Sequence, residues 1–109
     1  MNDILLVMTN LPDAAAAQKL ASKLIEERAA ACVNQLAPCT STYRWKDDIE
    51  TASEVPLLIK TTQNAYPRLE KLIREAHPYE LPEIIAVSVK AGLPAYLDWI
   101  AQESIKLKE

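Results

Sequence analysis

The sequence predicts an α+β domain on the split βαβ plan, and three observations carry that expectation. Apolar runs of strand character alternate with stretches whose apolar residues fall at helical spacing, in the order β-α-β-β-α-β-α. The first six elements make two consecutive β-α-β halves, the ferredoxin-like arrangement, and a C-terminal helix is added to it. At 109 residues the chain can bury one core but not two, so residues 1–109 form a single domain.

Residues 4–8, Ile-Leu-Leu-Val-Met, read as a buried strand. Pro12 and Asp13 suit the first turn of a helix, where a missing N–H costs nothing and a carboxylate meets the positive dipole end. Ala17, Leu20, Ala21, Leu24 and Ile25 follow at helical spacing and carry that helix to Arg28. Ala30 to Leu36 is a second strand, with a continuation, bent at Pro38, through Thr40 to Trp45. Lys46-Asp47-Asp48 is polar and suits a turn. Ile49 to Thr62 holds a third strand, strongest at Val55 to Lys60, in which Pro56 demands an edge position or a bulge. A second helix starts near Asn64, with Pro67 in its first turn, and ends at Ala76 or His77. Ile84 to Val89 is a fourth strand. The one glycine, Gly92, with Leu93 and Pro94, opens a last helix that buries Leu97, Ile100, Ala101 and Ser104.

Helices in this plan cover one face of the sheet, so a solvated second face should show as alternating apolar and polar residues. The first and fourth strands are instead continuously apolar. The last helix is a small lid, and the expectation is a homo-oligomer in which sheet faces or strand edges meet.

Composition excludes several partners and chemistries. A net charge of −3 without any basic stripe argues against nucleic acid and anionic lipid. The longest apolar runs are too short to span a bilayer. The N-terminus carries no readable leader, so a cytoplasmic location is expected. One glycine leaves no phosphate-cradling loop. No serine has a local nucleophile signature, and no zinc spacing of cysteines occurs. The expectation is a protein that is not an enzyme. Cys32 and Cys39 would lie about 23 Å apart on one extended strand, well beyond disulfide reach, unless the chain reversed near Pro38. Reduced thiols are expected.

The densest chemistry is His77-Pro78-Tyr79-Glu80-Leu81-Pro82-Glu83, at the junction of the second helix and the fourth strand. Two readings stand side by side. His77 can be a structural imidazole in the last helical turn, stabilised by the negative end of the dipole. It can also join Cys32 and Met8 in a soft donor set that selects copper(I) over magnesium or calcium. Cys32, among small apolar residues, and Met8, closing an apolar strand, each have a plain core reading as well. Tyr43 and Trp45 alternate with polar neighbours and share one sheet face, as interface aromatics do. Glu80 and Glu83 can be solvated, can pair with Lys60 or Arg44, or can line a pocket. In the alternative of a signalling or small-ligand-binding trimer, Tyr43, Trp45, Lys60, Tyr79 and Glu83 are the candidate walls of clefts between subunits.

Five colinear motifs span nearly the whole chain: Ala30-Ala31-Cys32-Val33-Asn34, Ser41-Thr42-Tyr43-Arg44-Trp45, Leu58-Ile59-Lys60-Thr61-Thr62, His77 to Glu83, and Pro94-Ala95-Tyr96-Leu97-Asp98-Trp99. In these the sequence resembles the CutA divalent-cation tolerance family. The resemblance implies a ferredoxin-like fold with a long hairpin between the second and third strands. It implies tight homotrimers joined by strand edges, similar to those of PII-type signalling proteins. It also implies tolerance to copper and other divalent ions, with no established enzymatic reaction and with copper or another divalent metal as an optional cofactor. Some bacterial members have a cysteine at the end of the first strand and a His-His pair before the Pro-Tyr. Here those places hold Met8 and Ala76-His77, so only His77 carries over unchanged, with Met8 as a soft substitute. Cys39 follows Pro38 where many members have glycine. Asp47 replaces the glycine of the hairpin turn, and an aspartate tolerates the left-handed conformation such a turn needs.

Overall fold

The computed structural model describes residues 3–107; residues 1, 2, 108 and 109 of the single-domain span lie outside the described residues. The elements are β1 (Ile4–Leu11), α1 (Ala14–Glu26), β2 (Cys32–Gln35), β3 (Cys39–Trp45), β4 (Asp48–Thr62), α2 (Tyr66–Ala76), β5 (Ile85–Ser88) and α3 (Pro94–Glu103). The strands form one sheet in the order β2-β4-β1-β5, with β3 also paired to β4. All of these pairings are antiparallel. Counting β2 and β3 as one interrupted strand recovers the ferredoxin-like order expected from the element sequence.

The interruption has a cause in the sequence. Between the pairs Gln35↔Leu57 and Cys39↔Glu54 the first strand advances four residues and β4 only three. One extra residue is therefore bulged out on the β2–β3 side. Opposite it stands Pro56, whose carbonyl accepts from the Leu36 amide at 2.9 Å and which has no N–H to return. The bulge falls where the ladder lacks a donor, so β4 tolerates a proline while remaining a central strand.

Period-two alternation on β1 and β4 separates two faces. Leu5, Val7, Thr9 and Leu11 face the same way as their β4 neighbours Thr61, Ile59, Leu57 and Val55. This face is buried and packs with Ala17, Leu20 and Leu24 of α1 and Leu69 and Ile73 of α2. The second face carries Ile4, Leu6, Met8, Leu58, Ile85 and Val87. Of these only Ile4 is buried, at the end of the sheet; α3 packs against β1 and β4, and Ile100 is its one buried apolar residue. Ile85 and Val87 stay 49% and 48% exposed.

Several boundaries differ from the sequence expectation: β2 (Cys32–Gln35), α2 from Tyr66 and β5 (Ile85–Ser88) are each one or two residues shorter at an end than read, and three further differences have a local cause. β1 runs on to Leu11, because Asn10 and Leu11 find partners in Pro56 and Val55. Pro12 and Asp13 precede α1; Asp13 is its N-cap, and its Oδ1 accepts from the Ala16 amide at 2.8 Å. Finally, α1 stops at Glu26. Ala29 N–H bonds to the Leu24 carbonyl and Arg28 N–H to that of Ile25, the double bond pattern that commonly ends a helix at glycine. Arg28 takes the left-handed position instead, at φ 55°. Its guanidinium compensates by donating to the Ile105 and Gln102 carbonyls at 2.8 and 2.9 Å, which ties the end of α3 to the end of α1.

The hairpin between β3 and β4 turns at Lys46 and Asp47, with φ of 50° and 70°. Two left-handed residues between the paired Trp45 and Asp48 make the tight turn whose twist matches the flanking strands. Both cysteines are free thiols, Cys32 half-buried and Cys39 exposed.

Candidate functional site

The corner at His77 is built by three local effects. Pro78 disfavours helical backbone at the residue before it, and His77 is accordingly extended at φ −76°, ψ 133°. Its amide still bonds to the Ile73 carbonyl at 2.8 Å. Its side chain turns inward, leaving the residue 8% exposed. There Nε2 lies 2.6 Å from the Asn10 carbonyl and Nδ1 lies 3.2 Å from the Tyr79 amide nitrogen. A carbonyl can only accept and an amide N–H can only donate, so the ring carries its hydrogen on Nε2 and offers Nδ1 as acceptor. The Tyr79 ring packs on it with centroids 4.7 Å apart. The imidazole joins the end of β1 to the start of the corner.

That geometry bears on a copper site. Both ring nitrogens of His77 are engaged with backbone. Met8 sits on β1 opposite Leu58, and Cys32 sits on β2 opposite Lys60, with β4 between them. Among the described residues no three His, Cys, Asp or Glu side chains are grouped to hold a metal ion.

The other candidate residues do meet. A groove of about 960 Å³ lies between the hairpin, the end of β1 and the corner, and Tyr43, Trp45, Tyr79 and Glu83 all line it. Strand pairing explains the hairpin wall: Ser41, Tyr43 and Trp45 alternate along β3 and share a face with Ala52 and Glu54 of β4. The fifth residue, Lys60, stands elsewhere, donating from Nζ to Asn34 Oδ1 at 2.7 Å. Asn10 contributes from β1, its Nδ2 donating to Glu83 Oε1 at 3.3 Å.

The groove's electrostatics centre on Glu54, which is only 8% exposed. Burial, then the hydrogen bond and the charge of Glu54, push the Tyr79 phenol up to about 12. Neither Glu54 nor Asn10 is singled out by the sequence. Glu54 reads there as one more charge on a strand, and the signal that it faces inward is its place in register with Cys39, which depends on the bulge at Pro56.

The family model described as CutA1 divalent ion tolerance protein matches residues 5–103. The chain belongs to the CutA family. It is 40% identical to the divalent-cation tolerance protein CutA of Thermus thermophilus over 90% of this chain and 95% of that one. It is 44% identical to the protein CutA of Mus musculus over 84% of this chain, which spans 51% of the mouse protein, about half its length. The crystal structure of CutA from Xylella fastidiosa superposes with a TM-score of 0.92 at 45% identity, covering 94% of this chain and 99% of that one. Membership accounts for the five motifs. The groove walls come from two of them, the Ser41–Trp45 and His77–Glu83 segments. No helix among the described residues is long and apolar enough to cross a membrane.

Proposed function

We propose that this chain serves tolerance to divalent cations as a homotrimer, a binding protein rather than an enzyme. The observation that carries the proposal is the uncovered apolar face. Ile85 and Val87 are half-exposed beside Met8 and Leu58, and α3 adds an exposed Tyr96–Trp99 stack with ring centroids 5.6 Å apart. Large apolar side chains exposed in such number mark a surface that meets another molecule. β5 and β3 lie at opposite edges of the sheet, which leaves two strand edges to join neighbouring copies. The relatives named for divalent-cation tolerance support the cellular role.

Copper, or another divalent metal, is not required for the fold in this proposal and is not held by His77. Sedimentation equilibrium at micromolar protein tests the assembly. The expected mass is three times the 12.1 kDa of the chain, falling when Val87 is changed to Glu; a monomeric parent refutes it. Titration with copper(I) and copper(II) should give the same affinity for the parent and for His77→Ala. Loss of binding in the variant would return the imidazole to the metal.

A second reading is favoured by the groove itself. Its volume and its mixture of aromatic and polar walls are those of a small-molecule site. In the trimer such a groove would open at a cleft between subunits, as in a PII-like signalling or ligand-binding assembly. A thermal-shift screen of small metabolites should then give stabilising hits that Trp45→Leu removes.

A further inference from the structure

We propose that the groove between the hairpin and the His77 corner binds a small organic cation, an ammonium or guanidinium compound. This rests on the ligand-cleft reading and adds the chemical class of the ligand. The starting observation is Glu54. It is more than nine-tenths buried, it lines the groove, and no lysine, arginine or histidine among the described residues forms an ion pair with it. Its side-chain partner is the neutral phenol of Tyr79. Buried carboxylates are normally matched by a cation or a metal, because desolvation of an unpaired charge is costly.

The remaining walls select the kind of cation. Glu80 and Glu83 add two carboxylates, against the single cation Arg44, so the groove is acidic. Tyr43, Trp45 and Tyr79 present three aromatic rings, whose negative faces attract weakly hydrated organic cations. Trp45 already does so within the chain, with Lys46 Nζ 5.6 Å from its ring centroid. A divalent metal fits less well. It needs several oxygen or nitrogen ligands converging at short range, and no such group of three is present among the described residues. Guanidinium combines a delocalised charge that stacks on aromatic rings with a planar fork that meets a carboxylate at two points. The site therefore suits a guanidinium or ammonium head on Glu54, with the rest of the ligand along the Tyr43–Trp45 wall.

Calorimetric titration of the intact protein tests this. The probes are agmatine and ethylguanidinium, with glutarate as an anion of similar size. The expected result is binding of both cations and none of glutarate at millimolar concentration. Glu54→Gln should weaken cation binding by about tenfold or more, as loss of a charged hydrogen-bond partner does. Trp45→Leu, which leaves Glu54 in place, should weaken it as well and covers the case in which Glu54→Gln does not fold. Undiminished binding by both folded variants would overturn the proposal. Glutarate binding that Trp45→Leu abolishes would refute the cationic class and leave the ligand cleft standing. Failure of every probe would overturn the cationic class, while the cleft itself stands or falls with the metabolite screen; if Glu54→Gln then also lowered the assembled mass, the cation opposite Glu54 would be a side chain of another subunit.

Discussion

Replacing His77 with alanine separates the two roles that a lone histidine at this corner can play. The structure gives the imidazole two hydrogen bonds, from Nε2 to the Asn10 carbonyl at 2.6 Å and to Nδ1 from the Tyr79 amide at 3.2 Å. Each contributes about 1 kcal/mol net, and removing the ring leaves both backbone groups partly buried without that partner. The ring pair with Tyr79 adds about 0.5–1.5 kcal/mol. The loss should total about 3 kcal/mol, a large share of the stability of a domain this size. Urea unfolding, followed at one protomer concentration because assembly contributes to stability, should show the midpoint lowered by about 1–3 M at an ordinary slope. His77→Phe keeps a ring beside Tyr79 but neither hydrogen bond, so it should recover only the aromatic part. A loss below about 0.5 kcal/mol for His77→Ala would place the change among ordinary surface substitutions and refute the structural role. A loss that appears only when copper is present would refute it in favour of a metal ligand.

Other changes test other parts of the account. Asp47→Gly should stabilise the fold by about 0.5–1 kcal/mol in the same urea assay, because Asp47 sits at φ 70° where glycine is unstrained; a destabilised variant would show that the Asp47 side chain matters more than the turn. Thr9 and Thr61 are both fully buried, yet Thr61 Oγ1 donates to the Ala29 carbonyl at 2.6 Å while Thr9 Oγ1 has no partner among the described residues. Thr61→Val should therefore cost about 1–2 kcal/mol and Thr9→Val should gain up to about 1 kcal/mol; equal signs would contradict that difference. Tyr79 binds its proton more tightly folded than unfolded, since its value rises from 10.0 to about 12. Its contribution is thus complete below pH 10.0 and disappears as pH climbs to about 12. The full shift corresponds to at most about 2.7 kcal/mol, and partial exposure to solvent reduces this to about 1 kcal/mol. Tyr66 is raised too, by burial and then Glu70, so the difference between parent and Tyr79→Phe in unfolding from pH 9 to 12 isolates the effect; parallel curves would refute it.

What the sequence made legible follows from which forces are local. Apolar period placed β1, β4, both core helices and the last helix, because period reports directly which face is buried. Pro56 announces an edge position or a bulge, since a missing N–H is a property of the residue alone; which of the two it is, and that the extra residue lies on the facing strand, follows only from the pairing. The end of α1 is not legible for the opposite reason. Helix termination in the left-handed conformation is read from glycine, and here Arg28 adopts it, held by carbonyls more than 70 positions away in the chain. Lys60 reads as a cleft residue because its type suits one. Its register opposite Cys32, beside Asn34, sets it elsewhere, and register is a property of two strands at once. The role of Glu54 is hidden in the sequence for the same reason.

Asn10 shows how the site depends on such long-range placement. The continuous apolar run of β1 ends at Met8, yet the strand continues through Leu11, and that extension carries Asn10 to the corner. Its carbonyl receives His77 and its side chain reaches Glu83, so one residue touches both ends of the His77–Glu83 segment. The two contacts differ in strength and in dependence on sequence. The carbonyl bond, 2.6 Å long and partly buried, survives any substitution that keeps β1 in register. The amide bond to Glu83, 3.3 Å long and exposed, belongs to asparagine alone and is weak. The corner is thus fixed at the His77 end and adaptable at the Glu83 end. The fixed end holds the Tyr79 amide on His77, with the Tyr79 phenol turned to Glu54, and in the proposed complex the adaptable end lets Glu83 turn toward a cation at the cost of one exposed hydrogen bond.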